Sequence, residues 1–421
     1  MKKVLLFGIL CTILCSCDIL RQIPAAIKQI DYILTEDRMD EKTKITYCYG
    51  KKTPFVLEDE TIYIPCKIDD TTHLLLYDSG FSEELTKLFP GNVKLPKTRR
   101  TMKQTIGTAS CYTVIKQGLK FYNIKSDVFN FTNLVGYVVS VSSDTVPVKC
   151  MDFSDKIHGF ILGLYSFPNR ENAMFLHFSD TTITLLDSTD MYDTTGFMSV
   201  KSRQESNRIY ICLNIDSIEY DFLFDTGSNG FLSIPRHKKT KEYTKTMCTT
   251  YVDPQYEKHK KENDISIVGF NAIDASGRVF DTITIQQTNA ITMGDLASIK
   301  GSIDYGTSLL KPIMGMKFIS NFDWIIDRYR KKIYAKQIKE IEYKEISTYY
   351  NVDVFDTTLQ ISLLPVGETK YQLFSIIDSV NGEKVNANNI CQMRKLLNKK
   401  NGFTDNEIVI LPPKETNSLK K

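Results

Sequence analysis

Two stretches of this chain repeat each other: residues 62–80 read IYIPCKIDDTTHLLLYDSG, and residues 209–227 read IYICLNIDSIEYDFLFDTG. Both start with Ile-Tyr-Ile and end with an aspartate in Asp-[Ser/Thr]-Gly, at a constant offset of 147 residues. A single Asp-Thr-Gly is expected by chance on the order of 0.2 times in a chain this long, so one alone means little. Two matches in the same register indicate a duplicated unit with one carboxylate per copy.

The distal parts of the two copies also correspond. Residues 160–164 read FILGL and residues 312–316 read PIMGM. Each copy therefore has a short apolar segment with a glycine at its fourth position, which we name the apolar-Gly step. A pair of strand-like segments follows each step, at 173–178 with 182–186 and at 322–327 with 331–335. Each copy is therefore predicted to contain a hairpin, an aspartate loop, a long middle part, the apolar-Gly step and a closing hairpin. Many Tyr, Phe and β-branched residues favour a mainly β fold.

One aspartate per copy predicts a paired-carboxylate site formed by Asp78 and Asp225. Two carboxyl groups in near contact cannot both ionise easily, so the pair shares a proton. One carboxylate can then act as general base on a water while the other donates a proton to the substrate. Glycine permits close approach of backbone and substrate, and the hydroxyl residues can hydrogen-bond between the loops. The supporting loop residues are Ser79, Gly80, Thr226, Gly227 and Ser228.

These motifs resemble those of the pepsin-like and retropepsin-like aspartic proteases. Residues 222–228, FLFDTGS, match the family's catalytic loop in full, and residues 75–80, LLYDSG, match it less well. The family's apolar-apolar-Gly element is met at 161–163 and 313–315, and residues 313–334 look like the end of a bacterial retropepsin-type domain. The resemblance spans about residues 55–336.

The resemblance implies two β-barrel lobes with a cleft between them. It implies an aspartic-type endopeptidase, which hydrolyses a peptide or protein substrate by an activated water, with no covalent intermediate, metal or cofactor. The family's flap hairpin is expected at Ile106, Gly107 and Thr108, with an ordinary turn as the alternative. Phe81 departs from the pattern, since the family has Ser or Ala after the first Gly. Its ring could occlude the pair or remove a supporting hydrogen bond, so the alternative function is a catalytically inactive protein that binds peptides in the cleft.

The N-terminus is predicted to be a targeting segment. Lys2 and Lys3 precede an apolar run over 4–14, which is too short to span a membrane. Leu-Cys-Ser-Cys then ends at Cys17, which resembles a bacterial lipobox; an ordinary signal peptide is the alternative. We therefore expect a protein anchored to the membrane by lipid on Cys17, in the cell envelope of a bacterium, at its periplasmic or outer-surface face. Residues 18–50 are predicted to be a helical tether.

The predicted domains are a signal peptide (1–17), the tether (18–50), an N-terminal lobe (51–195), a C-terminal lobe (196–339) and a third region (340–421). The third region is expected to be a small α+β domain. Residues 376–385, IIDSVNGEKV, look like a worn PDZ core, in which an Asn-Gly turn precedes a helix. An unspecific α+β appendage is the alternative, because no clear carboxylate-binding loop is visible.

Composition excludes several other functions. The net charge of +3, from 53 basic and 50 acidic residues, gives no case for nucleic acid binding. The sequence has no HExxH pair, GxSxG elbow, P-loop or Cys/His metal spacing. Of the ten cysteines, seven follow Cys17, and an odd number leaves at least one outside any internal pairing.

Overall fold

The structure is a computed structural model. It describes residues 38–412, with gaps at 59, 82–84, 91–93, 95, 99, 108–112, 143–158, 164–171, 206–207, 216, 236–241, 249–277, 295, 307–310, 342–349, 356–357, 366–367 and 400–401. The signal peptide, Cys17 and most of the predicted tether lie outside the described residues. The described chain is mainly β, as the sequence predicted.

The first half of the described chain consists of strands. These are β1 (Lys44–Tyr47), β2 (Thr53–Pro54), β3 (Val56–Glu58), β4 (Thr61–Ile68), β5 (Thr71–Asp78), β6 (Leu85–Pro90), β7 (Arg100–Gly107), β8 (Thr113–Lys125), β9 (Phe129–Ser142), β10 (Phe160–Gly163), β11 (Asn172–His177) and β12 (Thr182–Asp187).

The second half adds strands and one short helix. These are β13 (Met198–Val200), β14 (Ser202–Glu205), β15 (Arg208–Ile215), β16 (Ile218–Phe224), β17 (Leu232–Pro235), β18 (Glu242–Cys248), β19 (Arg278–Met293), β20 (Leu296–Gly306), β21 (Ile313–Met314), α1 (Met316–Ile319), β22 (Phe322–Asp327) and β23 (Lys332–Gln337).

The two halves have the same strand pairing. In the first, β4, β5, β10, β6, β9 and β8 pair in that order, and β8 pairs with β4 to close the ring. In the second, β15, β16, β21, β17, β20 and β19 do the same, and β19 pairs with β15. Parallel and antiparallel pairings also agree, with β5–β10 and β6–β9 parallel in one ring and β16–β21 and β17–β20 parallel in the other. The sequence repeat is therefore a repeat of topology.

The hairpin that begins each ring forms for local reasons. In the first copy, β4 and β5 are joined at Asp69 and Asp70, which both have positive φ, at 47° and 68°. Two left-handed residues in succession match the right-handed twist of the strands they join. In the second copy, Ser217 has φ of 70° in the matching turn. The apolar residues of β4 and β15 then face the barrel interiors.

A six-stranded sheet joins the two rings, in the order β13-β23-β22-β11-β12-β2. Its centre is the antiparallel pair β11–β22, where Phe175 lies opposite Ile325, and the strands on either side correspond in the two halves. These are the closing hairpins predicted from the sequence. Trp324 in β22 is fully buried, and its ring packs edge-on against Phe224, just before the second aspartate.

The third region is a small α+β unit. It contains β24 (Asn351–Phe355), β25 (Thr358–Pro365), β26 (Ile376–Val380), β27 (Glu383–Lys384), α2 (Ile390–Leu397), α3 (Gly402–Asp405) and β28 (Ile408–Leu411). Both strands and helices are present, as expected of an α+β region. Strand β25 pairs with β18, so this region extends the sheet of the second half, and Val139 of the first half belongs to its apolar core.

One sequence expectation changes. Residues 44–47, part of the predicted helical tether, form strand β1, which pairs with β9 at an open sheet edge. Their sequence, Lys-Ile-Thr-Tyr, alternates polar and apolar residues, as is typical of strands.

The sequence had left the pairing of the cysteines open. Among the described cysteines, Cys391 is disulfide-bonded, whereas Cys48, Cys66 and Cys212 are free.

Candidate active site

The two predicted aspartates lie at equivalent points of the two rings. Asp78 is the last residue of β5, and Asp225 directly follows β16. Beside each runs a parallel strand from the apolar-Gly step, with Gly163 opposite Asp78 and Met314 opposite Phe224. The Asp225 N–H continues the second ladder by donating to the Met314 carbonyl at 3.0 Å. Each carboxyl group is therefore held at the end of a buried strand pair.

The two loops are bonded to each other through their hydroxyl residues. The Ser79 N–H donates to Thr226 Oγ1 at 2.9 Å, and the Thr226 N–H donates to Ser79 Oγ at 2.9 Å. Each hydroxyl in turn donates across to the other strand, Ser79 to the Phe224 carbonyl at 2.7 Å and Thr226 to the Tyr77 carbonyl at 2.8 Å. Both side chains are buried, so these four bonds fix the loops in a two-fold arrangement.

This arrangement brings the two carboxyl groups into a hydrogen bond with each other. Asp78 Oδ1 also accepts from the N–H groups of Gly80 at 2.9 Å and Phe81 at 3.0 Å. Asp225 Oδ1 accepts from the Gly227 N–H at 3.0 Å. Both aspartates stay partly exposed to solvent.

The glycines of the two motifs are required by this packing. A Cβ on Gly80 would lie 2.3 Å from Asp225 Cγ, and one on Gly227 would lie 2.3 Å from Asp78 Cγ. Gly315 has a similar role behind the second loop, where a Cβ would lie 2.3 Å from the Gly230 carbonyl oxygen. The three glycines therefore permit close approach, as the sequence suggested for the two loop positions.

The electrostatics of the pair are asymmetric. Burial, followed by the charge of Asp225, raises the pKa of Asp78 to about 7, although the Gly80 and Phe81 N–H groups act in the opposite direction. Burial also raises the pKa of Asp225, but the Gly227 N–H and the hydrogen bond from Asp78 lower it again. Burial raises the pKa of both carboxyls, and their mutual contact places them to share one proton. The pair can hold one proton near neutral pH, with one acid and one base in contact.

No model of a known protein family matches the chain, and no curated protein is similar enough to it to count as a relative.

The remaining predicted site residues have mixed outcomes. Ser228 accepts the Met316 N–H at its carbonyl, at 2.7 Å, and so ties the second loop to α1. Ile106 and Gly107 end β7, and Gly107 pairs with Thr113 across an antiparallel hairpin. Thr108 and the tip of that hairpin lie outside the described residues, so the flap stays a prediction. Cys17 also lies outside them.

A bulky residue at position 81 could have removed a hydrogen bond that supports the aspartate pair, but the bond from the Phe81 backbone is present. The backbone N–H of Phe81 donates to Asp78 Oδ1, and the Phe81 ring is only half-buried. What this position lacks is the hydroxyl that Ser228 carries in the second loop.

The described residues contain neither a cluster suited to bind a metal ion nor a membrane-spanning helix. Within the ranges given above, no group of three or more His, Cys, Asp or Glu side chains could hold a metal ion. In those same ranges, no helix is long and apolar enough to cross a membrane.

The sequence reasoning missed Arg208, whose positive charge partly offsets the burial that raises the pKa of Asp225. Its signal was available, because Arg208 lies one residue before the second Ile-Tyr-Ile, at the position where the first copy has Thr61.

Proposed function

We propose that the protein is an exported, lipid-anchored aspartic endopeptidase. The observation that carries this proposal is the hydrogen-bonded pair of Asp78 and Asp225, held by matched loops of two topologically identical barrels. A shared proton at such a pair is suited to hydrolysis by an activated water.

Each aspartate has a distinct role in this mechanism. In this proposal Asp225 carries the charge and accepts a proton from the attacking water. Asp78 carries the proton and donates it to the carbonyl oxygen of the scissile peptide, which gives a gem-diol intermediate. As the C–N bond breaks, Asp225 passes its proton to the leaving amine and a hydroxyl of the gem-diol returns its proton to Asp78, so that the pair regains its starting state. Each step needs direct or one-water hydrogen-bond contact between a carboxyl group and the reacting atoms, and the partial exposure of both aspartates is compatible with such contact.

The fold supports the same proposal. Two barrels that contribute one aspartate each fit the two-lobed architecture of the pepsin and retropepsin families. We also propose that the third region is a PDZ-like domain, since β26, β27, α2 and β28 follow the strand-turn-strand-helix-strand order expected of one. In this region, the Asn398 side chain occupies backbone hydrogen-bonding groups of strand β24. It accepts the Val352 N–H and donates to the Val352 carbonyl, both at 2.8 Å.

The alternative, a peptide-binding protein without activity, is suggested by Phe81. Two observations support catalytic competence over this alternative: the backbone bond from Phe81 to Asp78 is present, and the ring is half-exposed. A test that separates binding from cleavage decides between them.

The test is digestion of a diverse peptide library by the soluble part of the protein, read by mass spectrometry. We expect cleavage within extended peptides by the wild type, unaffected by a chelator, and none by Asp225→Asn. Asp221→Asn is the matched control, since Asp221 lies on the same strand but pairs with Arg203 on the surface. Peptides that bind but stay intact across a broad pH range would favour the alternative.

The lipid anchor has a separate test. We expect Cys17→Ser to block lipid labelling and to release the protein into the soluble fraction, because the lipid would be the anchor. Unchanged membrane retention would contradict the anchoring part of the proposal and leave the catalytic part untouched.

A further inference from the structure

Arg208 lies beside the second aspartate. In the β15–β16 hairpin, Tyr210 is opposite Leu223, and continuing this register by two residues places Arg208 opposite Asp225. Directly opposed residues of an antiparallel pair project from the same face of the sheet. Arg208 therefore projects from the face that carries the Asp225 carboxylate. Burial raises the pKa of Asp225, and the charge of Arg208 acts in the opposite direction, which agrees with this placement.

In the described part of the chain, the Arg208 side chain makes no ion pair or hydrogen bond. Glu205 lies opposite Arg208 in the β14–β15 pair, but its carboxylate is in contact with Arg203 instead. Arg203, one strand away, differs in this respect. It forms ion pairs with Glu205 and Asp221, and its guanidinium lies over the Tyr210 ring at 4.4 Å. Arg208 is half-buried, and Arg203 is exposed. A half-buried guanidinium with unused donors is suited to receive a carboxylate.

The two copies carry different residues opposite their aspartates, Arg208 in the second copy and Thr61 in the first. The offset of 147 residues that relates the two motifs also relates Arg208 to Thr61, which the β4–β5 register places opposite Asp78. Thr61 is neutral and only 9% exposed. The second half of the site therefore offers a cation, whereas the first offers a buried hydroxyl residue.

We propose that Arg208 is a specificity residue that binds a carboxylate of the substrate on the second-lobe side of the aspartate pair. This inference rests on the proposed peptidase function and names its substrate class: peptides with an acidic group near the scissile bond. The carboxylate belongs either to an Asp or Glu side chain or to the C-terminus of the peptide. Both present the same planar pair of oxygens to the guanidinium.

The test uses matched extended peptides. One series places Glu or Gln at each position within four residues of the scissile bond, and a second pair has a free or an amidated C-terminus. For the wild type we expect kcat/KM to favour the acidic member by about tenfold at one position or at the terminus, as a charge-assisted bond implies. The position or the terminus identifies the source of the carboxylate.

Variants then assign the preference to Arg208. We expect Arg208→Gln to reduce the ratio of kcat/KM between acidic and neutral peptides to about one, and Arg208→Lys to retain part of the preference. Thermal melts confirm that both variants fold. Arg203→Gln is the matched control and should keep the full preference. A wild type without preference for acidic peptides, or an equal preference in Arg208→Gln, overturns the inference.

Binding measurements separate this inference from the proposed function. The same labelled peptides are titrated by fluorescence anisotropy into Asp78→Asn, with and without Arg208→Gln. An acidic preference in binding that depends on Arg208 supports the inference even if the wild type cuts nothing, a result that would contradict the peptidase. Cleavage without any such preference contradicts the inference alone, and absence of both binding and cleavage contradicts both.

Discussion

Ser79 and Thr226 hold each other in place: the backbone N–H of each donates to the side-chain hydroxyl of the other, both at 2.9 Å. The two residues are 147 positions apart, the offset of the sequence repeat. This reciprocal pair lies directly behind the two aspartates and joins the two halves of the molecule at the site.

Removing either hydroxyl should destabilise the protein. Thr226→Val leaves the Ser79 N–H without its acceptor and the Tyr77 carbonyl without its donor, both buried. Each unsatisfied group costs about 1–3 kcal/mol, so we expect the free energy of unfolding to fall by roughly 2–4 kcal/mol. Urea denaturation measures this, with the same change at an exposed threonine, Thr189→Val, as the control. A change under about 0.5 kcal/mol, the range of ordinary surface substitutions, would contradict the role of the pair.

A methyl group on the loop glycine should displace the opposite carboxyl. Gly227→Ala puts a Cβ within 2.3 Å of Asp78 Cγ, so the two carboxyls must separate. Misplacement by about 1 Å can lower the rate of a reaction about a hundredfold, and we expect kcat/KM to fall at least that much. Gly230→Ala is the matched control, since its Cβ would meet nothing closer than 3.6 Å. Equal activity of the two variants would show that the carboxyl contact is unimportant.

The repeat allowed much of this site to be predicted. Because Asp78 and Asp225 follow the same hairpin pattern, equivalent strand ends and a shared site could be expected from the residues alone. The pairing of β25 with β18 could not, because a contact between distant strands leaves no local periodicity. The same holds for Lys44–Tyr47, whose place in the first sheet depends on an edge formed by residues near 130. Arg208 was missed because a single arginine belongs to no sequence motif, and its place beside Asp225 follows only from the register of the β15–β16 hairpin.

The aspartate pair should make stability fall as pH rises. The pKa of Asp78 is raised from 3.8 to about 7, so the folded protein binds more protons than the unfolded chain between these values. The stabilisation is fully present below about pH 3.8 and is lost as pH rises through about 7. Asp78→Asn stays neutral and escapes this loss. We therefore expect the variant to gain stability relative to the wild type between pH 4 and pH 8, about the range the raised pKa spans, in urea denaturation.

A surface aspartate provides the control for that experiment. The Thr195 hydroxyl and N–H lower the pKa of Asp193 from 3.8, so Asp193 is ionised between pH 4 and pH 8 and Asp193→Asn should leave the pH dependence in that range unchanged. Stability curves of wild type and Asp78→Asn that run parallel with pH would show that Asp78 does not hold a proton in the folded protein.

The central claim is that Asp78 and Asp225 act as one proton-sharing catalytic pair. The most direct measurement is kcat/KM for one cleaved peptide across about pH 3–9, for the wild type, Asp78→Asn and Asp225→Asn. We expect wild-type activity at acidic to neutral pH, a decline of about tenfold per unit above about pH 7, and a loss of about a thousandfold or more in each variant at every pH. Substantial activity in either variant, or a wild-type rate that keeps rising above neutral pH, would contradict the claim.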